Sequence, residues 1–344
     1  MPTGMEELGD ICQIIQGSGA KLHMIKSITV SQKTINLREA FVTALRRVES
    51  YPVIEVKIQL ENGATGVGEC VATPQIAGDS FEEIWQELNS KQIRDLTEIS
   101  PALIAELELL PSSKAALDMA WWNLENMPSC SVATDVTVPI AALSELPSIV
   151  EKRVAAGFSS FKLKVEQDSI SNLLRRIEII REIAGDQVLI RIDPNQGWQL
   201  DYALRAVEEL AKTGAFIEYL EQPLHKFDLP GHKALASQSA IPLMADESCF
   251  STADLPAVID SGAFQFVNVK VLKCGGITPA IELAQIAKAA GLQVSVGSMM
   301  EGEAGIRAAI FVAHQVAPEV VHDLDAAWWI RDGNIKYQNS RVSS

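Results

Sequence analysis

The chain has 344 residues, 47% of them hydrophobic and 21% charged, and its 29 Lys and Arg against 44 Asp and Glu leave a net charge of −15. Apolar content on that scale excludes a disordered chain, and the length predicts a large barrel-type domain, alone or with a second domain. The acidic balance argues against a nucleic-acid backbone or an anionic membrane as the main partner.

In chain order, residues 1–23 are mixed in character, carry Gly17 and Gly19, and read as a poorly ordered extension. Strand-like periodicity starts after Met24. Residues 53–60, Val-Ile-Glu-Val-Lys-Ile-Gln-Leu, predict a strand, Asn62-Gly63 supplies a two-residue turn, and 65–70 returns. Helices are predicted over 81–88, 101–110 and 112–126, the last with Ser112 or Ser113 as N-cap. Residues 24–125 therefore read as an α+β unit.

From about residue 135, short strands and amphipathic helices alternate. The predicted strands are 136–141, 160–165, 188–193, 217–221, 242–246, 266–270, 293–297 and 320–323, and from the second onward their ends fall 24 to 29 residues apart. Helical stretches such as 171–183, 202–213 and 278–290 separate them. Eight units of near-constant length predict a closed (β/α) barrel over 130–323. A doubly wound open sheet is the alternative, and it does not naturally supply eight equal units.

The five cysteines, Cys12, Cys70, Cys130, Cys249 and Cys274, are scattered with no C-x-x-C pair. That speaks against a disulfide framework or a zinc cluster and for a reducing cytoplasm. No apolar run reaches about 18 residues, so no spanning helix is predicted. No basic start leads into an apolar core, so no signal peptide is predicted.

The barrel strands end in charged residues: Lys162 and Lys164 on strand two, Asp193 on three, Glu221 on four, Asp246 on five, Lys270 on six, and Asp323 with Asp325 on eight. C-terminal strand ends converge on one mouth of a barrel, where active sites lie. Three acids on consecutive strands would repel one another, and a divalent cation removes the conflict. An all-oxygen set with an open remainder suits Mg2+ rather than zinc.

Lys164 and Lys270, on strands two and six of eight, face each other across the mouth. Two such bases can take a proton from one side of a carbon and return it to the other. A metal-held carboxylate would stabilise the enediolate formed in between. That is racemase or epimerase chemistry. Lys162 shares a strand face with Lys164 and would lower its pKa and touch the substrate carboxylate. Asp323 and Asp325 lie too far round the wall to join strands three to five at a metal, and a bound ammonium group would explain them.

These stretches resemble the enolase superfamily, muconate-lactonizing subgroup, and within it the dipeptide epimerases of the L-Ala-D/L-Glu type. The resemblance runs over about 25–340 and rests on Lys162-Leu163-Lys164, Asp193-Pro194-Asn195-Gln196-Gly197-Trp198, Glu221-Gln222-Pro223, Asp246-Glu247-Ser248, Lys270 with Lys273-Cys274-Gly275-Gly276-Ile277, Gly297-Ser298-Met299-Met300-Glu301 and Asp323-Leu324-Asp325. It implies a modified (β/α)7β TIM barrel with an α+β capping domain at 24–125. It implies one Mg2+ per subunit on Asp193, Glu221 and Asp246, with Lys164 and Lys270 as acid/base catalysts. Lys162 is implied beside the substrate carboxylate, and Asp323 with Asp325 on the dipeptide ammonium. Ser298, Met299 and Thr137 are implied as pocket contacts.

Residues 40–46 resemble a first specificity loop, in which Arg46 would reach an acidic substrate side chain. Residues 75–80 resemble a second. A cytoplasmic homo-oligomer acting on L-Ala-L-Glu, in cell-wall peptide metabolism, is the implied whole. The chain departs from the family pattern in its 1–23 extension, in Pro194 where Ala is common, and in a return to the cap over 324–344 that is short. Three rival readings stay open. An N-acylamino-acid racemase, o-succinylbenzoate synthase or cycloisomerase would share the lysines and acids but has no use for Asp323 and Asp325. A non-catalytic barrel, or a Schiff-base aldolase, would leave the three acids unused.

Overall fold

The computed structural model describes residues 21–43 and 47–344. The expectations for 1–20 and for Arg46 therefore lie outside the described residues.

The cap is a four-stranded sheet in the order β3-β2-β1-β4, built from β1 (His23–Val42), β2 (Arg47–Leu60), β3 (Thr65–Cys70) and β4 (Glu98–Ile99). The alternation read at 53–60 is real: Ile54, Val56 and Ile58 are fully buried, and Ile28 pairs with Ile58 across the β1–β2 ladder. Against β3 lies the helix Pro111–Leu124. Gly66 and Gly68 make that approach possible, since a Cβ would stand 2.1 Å from the Ala120 carbonyl oxygen at the first and 2.0 Å from that of Ala116 at the second.

This helix begins one residue earlier than predicted and has Leu110, not a serine, at its N-cap, with proline in the first turn. The two serines serve the cap's packing instead. Ser112 donates to Asp79 (2.8 Å) and Ser113 to Glu87 (2.6 Å). The predicted helix 101–110 stops at Pro101–Glu106. On its other side, the helix Pro111–Leu124 meets the barrel, where Asp118 accepts from the backbone N–H and hydroxyl of Thr278 at the start of the helix Ile277–Ala289.

Seven strands form one parallel sheet in sequence order: β6 (Val136–Val138), β7 (Ser160–Lys164), β8 (Leu189–Asp193), β9 (Ile217–Glu221), β10 (Leu243–Ala245), β11 (Phe266–Lys270) and β12 (Gln293–Gly297). The ring is completed by β13 (Val321–His322), shorter than the predicted 320–323, which pairs in parallel with β5 (Ser131–Thr134). Asp323 N–H donates to the Val296 carbonyl and Ser298 N–H to the Asp323 carbonyl, joining β12 to β13.

Arg191 pins this closure from inside. Its guanidinium is fully buried, pairs with Asp135 (2.7 Å) and Glu218 (2.6 Å), and donates to the His322 carbonyl of β13. A capped α/β barrel, as predicted, is the architecture.

The segment predicted to return to the cap does so in part. Leu37 of β1 bridges Ile330, and Arg331 N–H donates to the Asn36 carbonyl. Residues 336–343 instead turn back as the hairpin β14 (Lys336–Gln338) and β15 (Arg341–Ser343), which adds antiparallel to β5. The final strand finds its hydrogen bonds on the barrel's closing strand.

Candidate active site

Side chains alternate along a strand, so the inward phase that places Tyr219, Met244 and Phe266 in the barrel interior brings Glu221, Asp246 and Lys270 up to the mouth on the same wall. The chain turns sharply beyond those ends. Asn195, Gln196 and Gln222 all take left-handed backbone, at φ 46°, 64° and 35°, the kind of strain that clusters at functional sites.

The mouth is a chain of buried ion pairs. Lys162 Nζ lies 3.0 Å from Asp193, 2.7 Å from Glu221 and 2.7 Å from Asp323. Lys164 donates to Asp193 and to Asn195 Oδ1. Lys270 Nζ lies 2.7 Å from one oxygen of Asp246, and Lys273 Nζ lies 2.6 Å from the other.

Burial alone would protonate Asp193, but Lys162 and Lys164 overcome it and hold the carboxyl down at about 2. Burial also opposes the charge of Asp246, and Lys270 and Lys273 outweigh it and keep it well below the ordinary range. Glu221 goes the other way: burial, then the neighbouring charge of Asp193, push it up to about 7. Burial would strip Lys270 of its proton, yet Asp246 holds the ammonium above its usual value.

One cavity gathers Lys162, Lys164, Lys270, Thr137, Ser298, Met299, Asp323 and Asp325 of the predicted residues. Asp193, Glu221 and Asp246 lie buried beneath it, tied to it through the lysines. Phe41, Thr43, Gln75 and Ile76 of the two expected cap loops line its outer wall. Asp325 is held by two donors to one oxygen, the Thr137 N–H (2.7 Å) and the Trp329 indole (2.8 Å). Trp329 also meets Phe41 of the cap edge-on, and Arg153 lies against the rings of both Trp328 and Trp329. The tryptophan pair thus packs barrel against cap and also steadies a site carboxylate.

Does this set suit a divalent cation? Among the described residues no three acidic, histidine or cysteine side chains are gathered to hold a metal ion as they stand. Lysine ammoniums lie between the carboxylates instead. The donor chemistry fits nonetheless. Asp193, Glu221 and Asp246 present hard oxygens from adjacent strands, and Glu221 Oε2 touches Lys162 without the geometry of a hydrogen bond. Lys162 brings positive charge between Asp193 and Glu221, where a metal would bring more.

Several residues of the site escaped the sequence reading. Gln222 Oε1 accepts from the backbone N–H groups of Asp246 and Ser248 (both 3.0 Å), so strand four aims the loop after strand five. Asn268 donates to Glu221, and Lys273 donates to Asp246, to its carbonyl and to those of Cys249 and Asn268. Glu247 is buried with neither carboxylate oxygen hydrogen-bonded. Gln222, Glu247 and Lys273 stand inside quoted motifs and Asn268 on a predicted strand, but only strand-end phase was available as a signal, and these four lie off it or before the end.

Fold and mouth together define a capped barrel with paired lysines over a bed of carboxylates. Residues 145–343 match the enolase C-terminal domain-like family, and residues 25–128 match the mandelate racemase / muconate lactonizing enzyme N-terminal domain. The chain belongs to this family of the enolase superfamily. It is 32% identical over 340 residues to the L-Ala-D/L-Glu epimerase of Bacillus subtilis, covering 92% of this chain and 93% of that one. A substrate-liganded structure of the Bacillus subtilis epimerase superposes with a TM-score of 0.84 at 31% identity, covering 93% of this chain and 96% of that one. The dipeptide epimerase of Enterococcus faecalis, complexed with Mg and L-Leu-L-Tyr, superposes with a TM-score of 0.83 at 30% identity over the same shares. The N-succinyl-L-Arg/Lys racemase of Bacillus cereus is 31% identical over 304 residues, 80% of each chain. These relatives are isomerases, and so is this protein.

Proposed function

We propose that this protein is a Mg2+-dependent dipeptide epimerase that inverts the α-carbon of the C-terminal residue, with L-Ala-L-Glu as substrate. The observation that carries this reading is the position of Lys164 and Lys270. They open onto one cavity from strands four places apart in the ring, and Asp323 and Asp325 share that cavity.

Asp193, Glu221 and Asp246 would hold the cation. When bound, it supplies positive charge that competes with the lysines for these carboxylates and polarises the substrate carboxylate. The chain's own residues do the rest. A lysine acting as base must be neutral, and one acting as acid must be charged. Lys164 and Lys270 alternate in these roles as the proton leaves one face of the α-carbon and returns to the other. Lys162 offers its ammonium to the substrate carboxylate. Asp325, oriented by Thr137 and Trp329, receives the dipeptide ammonium. Burial and then the charge of Asp323 raise the Asp325 carboxyl, and a bound ammonium would relieve that strain. Ser298, Met299 and Thr137 wall the pocket, and Arg46 would pair with a side-chain carboxylate.

A second reading concerns the substrate side chain. Phe41, Ile76, Met299 and Met300 give the cavity an apolar wall, which favours an apolar residue in place of Glu. The test of both is α-proton exchange in D2O with Mg2+ and a panel of L-Ala-L-Xaa dipeptides. A one-unit mass gain and an L,D product with L-Ala-L-Glu support the first reading. Gain confined to apolar Xaa transfers the specificity to the second. No exchange with any dipeptide sinks the epimerase.

A further inference from the structure

Glu247 follows the proposed metal ligand Asp246 and is 3% exposed, yet neither of its carboxylate oxygens has a hydrogen-bond partner. A buried carboxylate left this way costs several kcal/mol unless something outside the protein's own donors meets it. The charged groups acting on it are those of the mouth: Asp246, Asp193, Lys270 and Glu221. Glu247 also lines a second cavity together with Lys226, but that ammonium stands over the rings of Phe227 and Phe250, 5.2 Å from each.

The loop that carries Glu247 is not free to turn it away. Gln222 holds the backbone N–H groups of Asp246 and Ser248 on either side of it. Lys273 grips the Asp246 side chain and carbonyl, and the Cys249 carbonyl. A carboxyl group is thus held without a hydrogen-bond partner beside three carboxylates suited to a divalent ion. A hydrated ion has what it lacks, because Mg2+ keeps several of its waters and each is a strong donor.

We infer that Glu247 is a positioning residue for the metal centre: its carboxylate accepts hydrogen bonds from water molecules of the ion held by Asp193, Glu221 and Asp246. The inference rests on the metal reading given above. Its role is to fix the ion's hydration shell, and so which coordination positions are left for substrate.

The test compares Glu247→Gln with wild type and with Asp246→Asn, by Mg2+ calorimetry and by thermal melting in EDTA and in Mg2+. Glu247→Gln keeps the shape and removes the unpaired charge. It should melt in EDTA no lower than wild type, and should bind Mg2+ about 10- to 100-fold more weakly, the loss typical of partners one shell out from a metal. Its Mg2+-induced rise in melting temperature should shrink accordingly. Unchanged Mg2+ affinity overturns the inference. So does a Glu247→Gln protein that melts well below wild type in EDTA, because Glu247 would then be a structural anchor. Asp246→Asn separates the two levels. If it binds Mg2+ as wild type does, the metal reading falls and takes the inference with it. If it loses Mg2+ while Glu247→Gln keeps it, only the inference falls.

Discussion

At the barrel mouth, Asp193 and Asp246 are buried beside Lys162, Lys164, Lys270 and Lys273 and are held ionised. At the seam between cap and barrel, Glu69 of β3 and Glu301 after β12 are just as buried, but their hydrogen-bond donors are backbone amides, those of Gly305 and Met299. Burial pushes Glu69 up to about 7 and Glu301 up to about 8. Carboxyl groups at the same depth are therefore shifted in opposite directions. At Asp193 and Asp246 two ammoniums each outweigh desolvation, whereas backbone amides do not at Glu69 and Glu301, and Glu221, beside Lys162 but also near Asp193, is raised as they are. At the seam Glu69 accepts from the Gly305 N–H and so ties β3 to the helix Glu303–Val316, while Glu301 accepts from Met299 within its own loop.

The comparison breaks first at the mouth. Lys164→Ala and Lys270→Ala should each cut epimerisation on the order of 10²- to 10⁴-fold. Each should still exchange the α-proton of the one isomer that its remaining lysine reaches. Exchange rates measured separately with L,L and L,D dipeptides check this, and equal exchange of both isomers by both variants would defeat the two-sided arrangement. Deeper in the barrel, Arg191→Met leaves Asp135 without its cation and frees β13. It should cost about 3–5 kcal/mol in urea denaturation, the penalty for breaking a buried ion pair from one side.

The seam is sharpened by pH. A carboxyl raised in the folded state stabilises the fold at pH below about 4.5, its ordinary value. That contribution is lost as pH rises through about 7 for Glu69 and about 8 for Glu301. Through these two groups the melting temperature of wild type should therefore fall between about pH 4.5 and pH 8. In Glu301→Gln, which cannot ionise, the fall should be shallower. Buried His322 acts at the other end, because burial lowers it to about 4. It takes stability away as pH falls from about 6.5 towards 4, as the unfolded chain protonates first. Identical slopes for wild type and Glu301→Gln would remove Glu301 from the seam.

The mouth was legible in the sequence because a parallel barrel puts its chemistry in one strand-end phase. Asp193, Glu221, Asp246 and Lys270 could be read from period alone. The seam was not, because Glu69 and Glu301 are 232 positions apart and meet only once β3 packs against the helix Glu303–Val316. Local signals failed where tertiary partners competed for the same atoms. Ser112 and Ser113 looked like caps, but Asp79 and Glu87 take their hydroxyls. The end of the chain was read towards the cap because nothing in 336–343 announces that β5 has an open edge.

The smallest effect tests where mouth and seam touch. Trp329 donates to Asp325 in the mouth while its ring packs on Phe41 of the cap. Trp329→Phe keeps an aromatic ring against Phe41 and removes one of two donors to that Asp325 oxygen. The lost bond, worth about 1.5–3 kcal/mol with a charged acceptor, should loosen the carboxylate proposed to receive the substrate ammonium. KM for a dipeptide with a free amine should rise about tenfold, since 1.4 kcal/mol is a factor of ten. The value of kcat should hold, because the lysines that move the proton are untouched. An N-acetylated dipeptide, which has no ammonium to place, should show no difference between variant and wild type. Equal losses for both substrates would mean that Trp329 matters to the cap alone.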